Sequence, residues 1–370
     1  MVRGANDILV DAQGRHYIDL LSAYGAALLG HAHPAIASSI AMQLDRLWLA
    51  GGFATPGYQE AADALARHFP ENYQLAGLYS SGMESAEFAL RVARSCSGKN
   101  GVAGFENSMH GKSLATASLT WNNHDGLQLP NWHRLPFLPR ASEDEILSGL
   151  ERALQAGSVG AVFVEPIQAS GGGYSATPAF YEAVALMTRA HGAMLVWDEI
   201  LTGFHRTGPA FRFVQLGLAP DVVLFGKACG NGFPVSGVMV DKRVELSRRM
   251  LPGSTFAGNP LACTAVSATL GQMAKINMRV LVEAIDATIQ RHLGWLQQSR
   301  FSLRGQGALW IVEAPAGIDL SPLVEGLFES GICIGYSGRQ FRLMPAATIV
   351  PDNLERACNT ISMMMQRLYR

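Results

Sequence analysis

The chain has 370 residues, 48% of them hydrophobic, and its 29 Lys plus Arg nearly cancel 30 Asp plus Glu. That length exceeds what one core ordinarily serves, so a large unit with a smaller companion is expected, and the balanced charge lacks the field that nucleic acid or an anionic membrane would need. A small-molecule partner fits better. The five cysteines (Cys96, Cys229, Cys263, Cys333, Cys358) are scattered, without the close pairs of a zinc or redox motif, which points to a reducing cytoplasm. No signal-peptide core opens the sequence and no uncharged apolar run reaches membrane-spanning length.

In chain order, "DILVDAQGRHYIDL" places apolar runs on either side of a turn at Ala12 to Gly14 and predicts a hairpin; Pro34 to Leu47 follows as a helix with Ile36, Ile40 and Leu44 on one face. From about Gln59 to Ala265, strand-like runs ("QLAGLYS", "NGVAGFE", "GAVFVEP", "GAMLVWDEI", "DVVLFGK") alternate with helical ones ("ESAEFALRVARS", "PAFYEAVALMTRAHG"). That alternation predicts an α/β unit with a mostly parallel sheet under helices on both faces, and ligands gather beyond one edge of such sheets. From Val266 a long helical stretch, two strands ("ALWIVEA", "FRLMPAATI") and the closing helix "DNLERACNTISMMMQRLYR" predict a smaller α+β unit. The expected division is therefore an N-terminal segment 1–50, a large unit 51–265 and a small unit 266–370. The segment is assigned to the small unit and to contacts between subunits.

Three features of the large unit could carry chemistry. In "YSSGMESAEF" the turn Ser80, Ser81, Gly82 delivers hydroxyls and free N–H groups to a helix N-terminus, either as a phosphate cradle or as a plain cap in which Ser81 and Glu84 form a capping box. Asp198 and Glu199 end a strand too apolar for carboxylates without a partner. Asp198 either caps the next turn or accepts a hydrogen bond from a protonated ring nitrogen. Lys227 ends the next apolar run: it is a solvated end cap, or a desolvated amine of lowered pKa suited to Schiff-base chemistry. Together, an anion cradle, a ring-nitrogen partner and an imine-forming amine are what pyridoxal phosphate requires.

With those residues in view, the sequence resembles the class III aminotransferases (ornithine, acetylornithine and 4-aminobutyrate types) of the fold type I pyridoxal phosphate superfamily. The resemblance runs almost end to end through seven ordered blocks: "YIDLLSAYGAALLGHAHPAI", "SSGMESAEFALRVAR", "FENSMHGKS", "FVEPIQASGGG", "WDEILTGFHRTG", "LFGKACGNGFP" and "GSTFAGNPLAC". It implies a seven-stranded type of large domain and an aminotransferase moving an amino group from a glutamate- or alanine-like donor to an aldehyde or ketone by ping-pong kinetics. Lys227 would hold the cofactor and shuttle the proton, with Asp198 on the ring nitrogen. Ile200 would pack on one ring face, Met109 and His110 would lie over the ring, and Glu165 would border it. Gln168 would bond the phenolic oxygen, and Ser81, Gly82 and Met83 would hold the phosphate. Ser254 and Thr255 would reach the cofactor of a partner subunit, which makes a homodimer the expected assembly. Arg342 either pairs with the substrate carboxylate or is a strand arginine facing solvent.

Three departures limit the transfer. Met109 stands where an aromatic residue usually stacks, so weaker cofactor retention is expected. Ser170 stands where ornithine-type and 4-aminobutyrate-type relatives carry a glutamate that neutralises the arginine, so Arg342 would lack that gate. The chain also begins close to its first hairpin, without the longer leader of many relatives, which implies a more open acceptor pocket. Tyr24, Trp48 and Phe53 either line it or belong to ordinary core. His31 and His33 lack a nearby third ligand, and "ASGGGYSATP" lacks the setting of a dinucleotide fingerprint. The alternatives are an aminomutase or racemase on the same scaffold, or a cofactor-binding domain without turnover. Intact Lys227 and Asp198 oppose the last.

Overall fold

The computed structural model describes residues 1–119, 129–247, 250 and 253–369. Near the N-terminus, β1 (Arg3–Ala5), β2 (Ile8–Val10) and β3 (His16–Asp19) form an antiparallel meander, and the expected hairpin is the β2–β3 pair turning through Gly14 at φ 79°. The helix that follows covers Pro34–Leu44, stopping three residues short of the expected Leu47.

The large sheet has seven strands: β4 (Tyr73–Tyr79), β5 (Gly101–Phe105), β6 (Trp132–Leu135), β7 (Val159–Val164), β8 (Met194–Asp198), β9 (Val222–Gly226) and β10 (Ser236–Asp241), in the order β4-β10-β9-β8-β7-β5-β6. Only β10 runs against its neighbours; β9, β8, β7, β5 and β6 pair in parallel. Every residue of β5, β7, β8, β9 and β10 is buried, as a sheet covered on both faces requires. Covering helices begin where the sequence places a polar cap before a proline: Thr55–Pro56, Thr177–Pro178 and Asn259–Pro260.

Among the elements the sequence reading missed are β6, β10 and the helices Pro56–Ala66 and Glu143–Gln155. β10 escaped because it starts inside the glycine-rich run after Lys227. Past position 266 the expected long helix is two, Pro260–Met273 and Met278–Leu293, divided where Asn277 caps the second. Then come β11 (Ser302–Gln306), β12 (Leu309–Glu313), the helix Ser321–Glu329, β13 (Ile332–Cys333), β14 (Gly335–Ser337), β15 (Gln340–Leu343) and the helix Pro351–Tyr369. β11-β12-β15-β14 make a third sheet, while β13 pairs in parallel with β3. Only the first residues of "FRLMPAATI" are strand, because Pro345 follows.

Candidate active site

β8 and β9 are parallel neighbours, so their C-terminal ends deliver Asp198 and Lys227 to the same edge of the sheet. A cavity of about 320 Å³ lies there, lined by Gly82, Met83, Met109, His110, Ile200 and Lys227 among others. Lys227 takes a left-handed backbone conformation, φ 45°, directly after extended Gly226. A non-glycine residue in that region is costly and persists only where its surroundings impose it. The lysine is partly buried, and burial pushes its pKa down to about 8, against the charges of Asp198 and Glu165 and with those of Arg206 and Arg342. A neutral amine is therefore accessible near physiological pH.

Asp198 is buried. Its Oδ1 accepts from the Ile200 N–H at 3.0 Å and its Oδ2 lies 2.8 Å from His110 Nδ1. It therefore caps the turn with one oxygen, as one of its two readings expected, while the other oxygen meets His110. His110 is fully enclosed; burial opposes its cation, yet the hydrogen bond and charge of Asp198 prevail and raise its pKa. Glu165, at the end of β7, accepts from the Met109 N–H at 2.9 Å, and burial pushes its carboxyl up to about 7 against the pull of His110.

The helix Gly82–Ser97 starts with the capping box foreseen as the plain alternative: Ser81 Oγ accepts from the Glu84 N–H and the Glu84 carboxylate accepts from the Ser81 N–H. That box leaves the first-turn amides of Gly82 and Met83 pointing out of the helix end beside the cavity. The turn is anchored by Ser236 of β10, whose hydroxyl donates to the Ser81 carbonyl at 2.6 Å and meets Ser85 Oγ at 2.7 Å. A Cβ on Gly82 would sit 2.8 Å from Ile200 Cδ1 and would require that side chain to move.

These residues fit pyridoxal phosphate on grounds internal to the site. Gln168 is buried, its Nε2 donates to Ser108 Oγ at 2.9 Å, and its Oε1 has no partner among the described residues. Exchanging the two ends of that amide keeps Ser108 satisfied, because a hydroxyl donates as readily as it accepts, and frees the NH₂ for a phenolate oxygen. The helix-end amides suit a phosphate, and Asp198 suits a ring N–H.

The other predicted residues are placed less uniformly. Arg342, on β15, is half-buried, takes part in no ion pair among the described residues and leaves its Nε unpartnered. Burial lowers its pKa, and the charges of Tyr24 and Glu165 act against that. Ser170 lies beside β15, its carbonyl accepting from Gln340 Nε2 at 2.8 Å; Gln340 and Arg342, two apart on a strand, share a face. Tyr24, Trp48 and Phe53 are exposed (64, 60 and 82%), so none is core. Trp48 donates to the Leu44 carbonyl, and Phe53 borders a second cavity of about 390 Å³ with Thr255, away from the residues around Lys227. Ser254 donates to Glu84 at 3.4 Å.

Tyr24 sits in a turn the sequence reading did not foresee. Ser22, Ala23 and Tyr24 have φ 45°, 52° and 56°, followed by Gly25 at 81°. Three successive left-handed L-residues cost roughly 1–2 kcal/mol each, so strong contacts must hold them. Arg206 was missed as well. It is completely buried, with no ion pair among the described residues, and burial pushes its pKa down to about 9. It stands in the quoted block "WDEILTGFHRTG", where a cation between apolar and glycine residues was the available signal.

The family profile for class-III aminotransferases matches residues 1–365. The chain is a class III aminotransferase. It is 32% identical to the 2-aminoadipate transaminase of Pseudomonas putida over 99% of this chain and 95% of that protein. It is 31% identical to the acetylornithine aminotransferase of Bacillus subtilis, over 95% and 91% respectively. A crystal structure of a transaminase from the marine bacterium Virgibacillus superposes with a TM-score of 0.91, covering 99% of this chain and 92% of that one at 21% identity. Membership makes the enzyme a pyridoxal phosphate-dependent aminotransferase of fold type I, as the sequence blocks implied; aminomutase, racemase and non-catalytic alternatives are not favoured. Among the described residues no helix is long and apolar enough to cross a membrane.

Proposed function

We propose that this aminotransferase takes its amine from a carboxylate-bearing amino acid of the glutamate or alanine kind and passes it to an aldehyde or ketone in a second half-reaction. The observation that carries this reading is the half-buried Arg342 guanidinium without an ion pair among the described residues, within electrostatic reach of Lys227. A planar cation held partly out of water is a receptor for a carboxylate. The absence of a carboxylate at Ser170 leaves it permanently available.

Pyridoxal phosphate, when bound, supplies the carbonyl that takes up the amine and the electron sink for the substrate's Cα–H electrons. Met109 and Ile200 would enclose the ring, and the Gly82 and Met83 amides with Ser81 would hold the phosphate. Gln168 would donate to the phenolate, and Asp198, kept in orientation by His110, would accept from the ring N–H. Glu165 borders Met109 and would close the site on that side. Lys227 Nζ would take and hold the proton from the substrate Cα, a task that suits an amine whose burial lowers its pKa. The test is a donor screen following cofactor absorbance through each half-reaction. Ping-pong behaviour is expected, with preference for carboxylate-bearing donors that Arg342→Ala abolishes; equal loss on amines without a carboxylate would overturn this reading.

A homodimer with shared sites is part of the proposal. Support comes from exposed Trp48, Phe53 and Phe256 close to the second cavity, where Thr255 would meet a partner's cofactor phosphate with Ser254. Light scattering reads the assembly. The three-part division at positions 50 and 265 is supported by β3 pairing with β13, which attaches the N-terminal segment to the C-terminal part. Five unpaired thiols fit a cytoplasmic setting.

A further inference from the structure

The left-handed turn that carries Tyr24 is gripped at both ends by buried charged groups. At its start, Asp19, 1% exposed, accepts from the Leu21 N–H at 2.8 Å and the Ser22 N–H at 3.1 Å through Oδ1, while Oδ2 meets His31 Nε2 at 2.6 Å. At its end, Arg206 Nη2 donates to the Gly25 carbonyl at 2.9 Å. The same guanidinium donates through Nη1 to the Pro345 carbonyl at 2.6 Å and the Ala308 carbonyl at 3.1 Å. Pro345 lies three residues beyond Arg342, and the Met344 N–H donates to the Leu20 carbonyl at 2.6 Å. One cation therefore joins the segment that presents Tyr24 to the segment that presents Arg342.

A buried guanidinium held by carbonyls through Nη1 and Nη2, with its Nε left without a partner and no acidic group paired with it among the described residues, is an expensive way to fill space, because a charge without a counter-ion bears full desolvation. Here its fork matches three carbonyls from three distant segments, a geometry no lysine or neutral side chain reproduces. Gly25 suits the turn because its φ of 81° is one that L side chains rarely adopt, and a Cβ there would also lie 2.7 Å from Leu201 Cδ1. Tyr24 itself is exposed, and the Gly25 carbonyl that Arg206 holds belongs to the next residue along the turn.

The geometry points to Arg206, with Asp19 at the opposite end, as a positioning residue that fixes the spacing between Tyr24 and Arg342 and so sets which carboxylate-bearing substrates are accepted. The inference rests on the proposed role of Arg342. It adds a residue that touches neither substrate nor cofactor.

The experiment uses the holoenzyme with two donors, a carboxylate-bearing amino acid and the amine left by its decarboxylation. Arg206→Lys is expected to raise KM for the amino acid about tenfold with kcat little changed, and to leave the decarboxylated amine unaffected. In an Arg342→Ala background the same substitution is expected to add nothing to KM. Equal losses on both donors, or a full further loss in the Arg342→Ala background, would mean a general packing role and overturn the proposal. Failure of Arg342→Ala alone to discriminate the donors sinks the reading of Arg342 instead, so the two failures are distinguishable. Should Arg206→Lys not fold, Asp19→Asn weakens the grip on the Leu21 and Ser22 amides from the other end while keeping the shape. It is expected to show the same donor-selective loss, and indifference would overturn the proposal.

Discussion

On one side of the comparison stand Asp198, Glu165 and Lys227, at or just past the ends of parallel strands; on the other stand Tyr24, Ser170 and Arg342, in a left-handed turn, a loop and the C-terminal sheet. On the first side each group is fixed by a neighbour close by in the fold: Asp198 by Ile200 and His110, Glu165 by Met109, the helix start by its own capping box. On the second side the Arg206 guanidinium bridges Gly25, Ala308 and Pro345, and Arg342 takes part in no ion pair among the described residues. Chemistry common to a family can be written into strand ends, while substrate choice is left to contacts that loops and remote segments can revise.

The sharpest way to break this contrast is at the strand ends. Lys227→Ala is expected to lower transamination on the order of 10²–10⁴-fold, the range for loss of a proton-transfer group, and to abolish fixation of the cofactor to the chain by borohydride, read by mass spectrometry. Because burial lowers the Lys227 pKa to about 8 and only the neutral amine adds to an aldehyde, capture of pyridoxal phosphate by cofactor-free protein should quicken as pH rises, level off above about 8, and slow about tenfold per unit below it. A stopped-flow pH series checks this; a midpoint near 10 would mean that the lysine is solvated. On the other side, Ser170→Glu should place a carboxylate near Arg342 and raise KM for carboxylate-bearing donors about tenfold, with amines lacking a carboxylate unaffected. Unchanged donor preference would detach Ser170 from that arginine. The smallest effect is at the ring face: Met109→Tyr should slow loss of the chromophore on dialysis about threefold, the size of an aromatic stacking gain.

The same contrast explains what could be read in the sequence. β8 and β9 announce themselves as apolar runs of strand length, and a charge at the end of such a run has little else to be; Asp198 and Lys227 were legible for that reason. The parallel sheet followed from alternation, but β10 did not, because its run begins among glycines and proline. Arg206 stayed hidden although its block was quoted, since its meaning lies in the carbonyls of Gly25, Ala308 and Pro345, which no local pattern brings together. The positive φ values of Ser22, Ala23 and Tyr24 run against the preferences of those residue types, so only tertiary contact reveals them. Trp48 and Phe53 could have been core or surface by composition; exposure decides, and it places them outside.

The parallel pairing of β3 with β13 has a consequence for biosynthesis. Ile18 meets Ile332, so a strand made among the first twenty residues waits for a partner about 300 residues later, roughly 15–60 s at ribosomal speeds of 5–20 residues per second. During that interval the nascent β1–β3 ribbon has an unpaired edge, and its completion waits until β13 has been made.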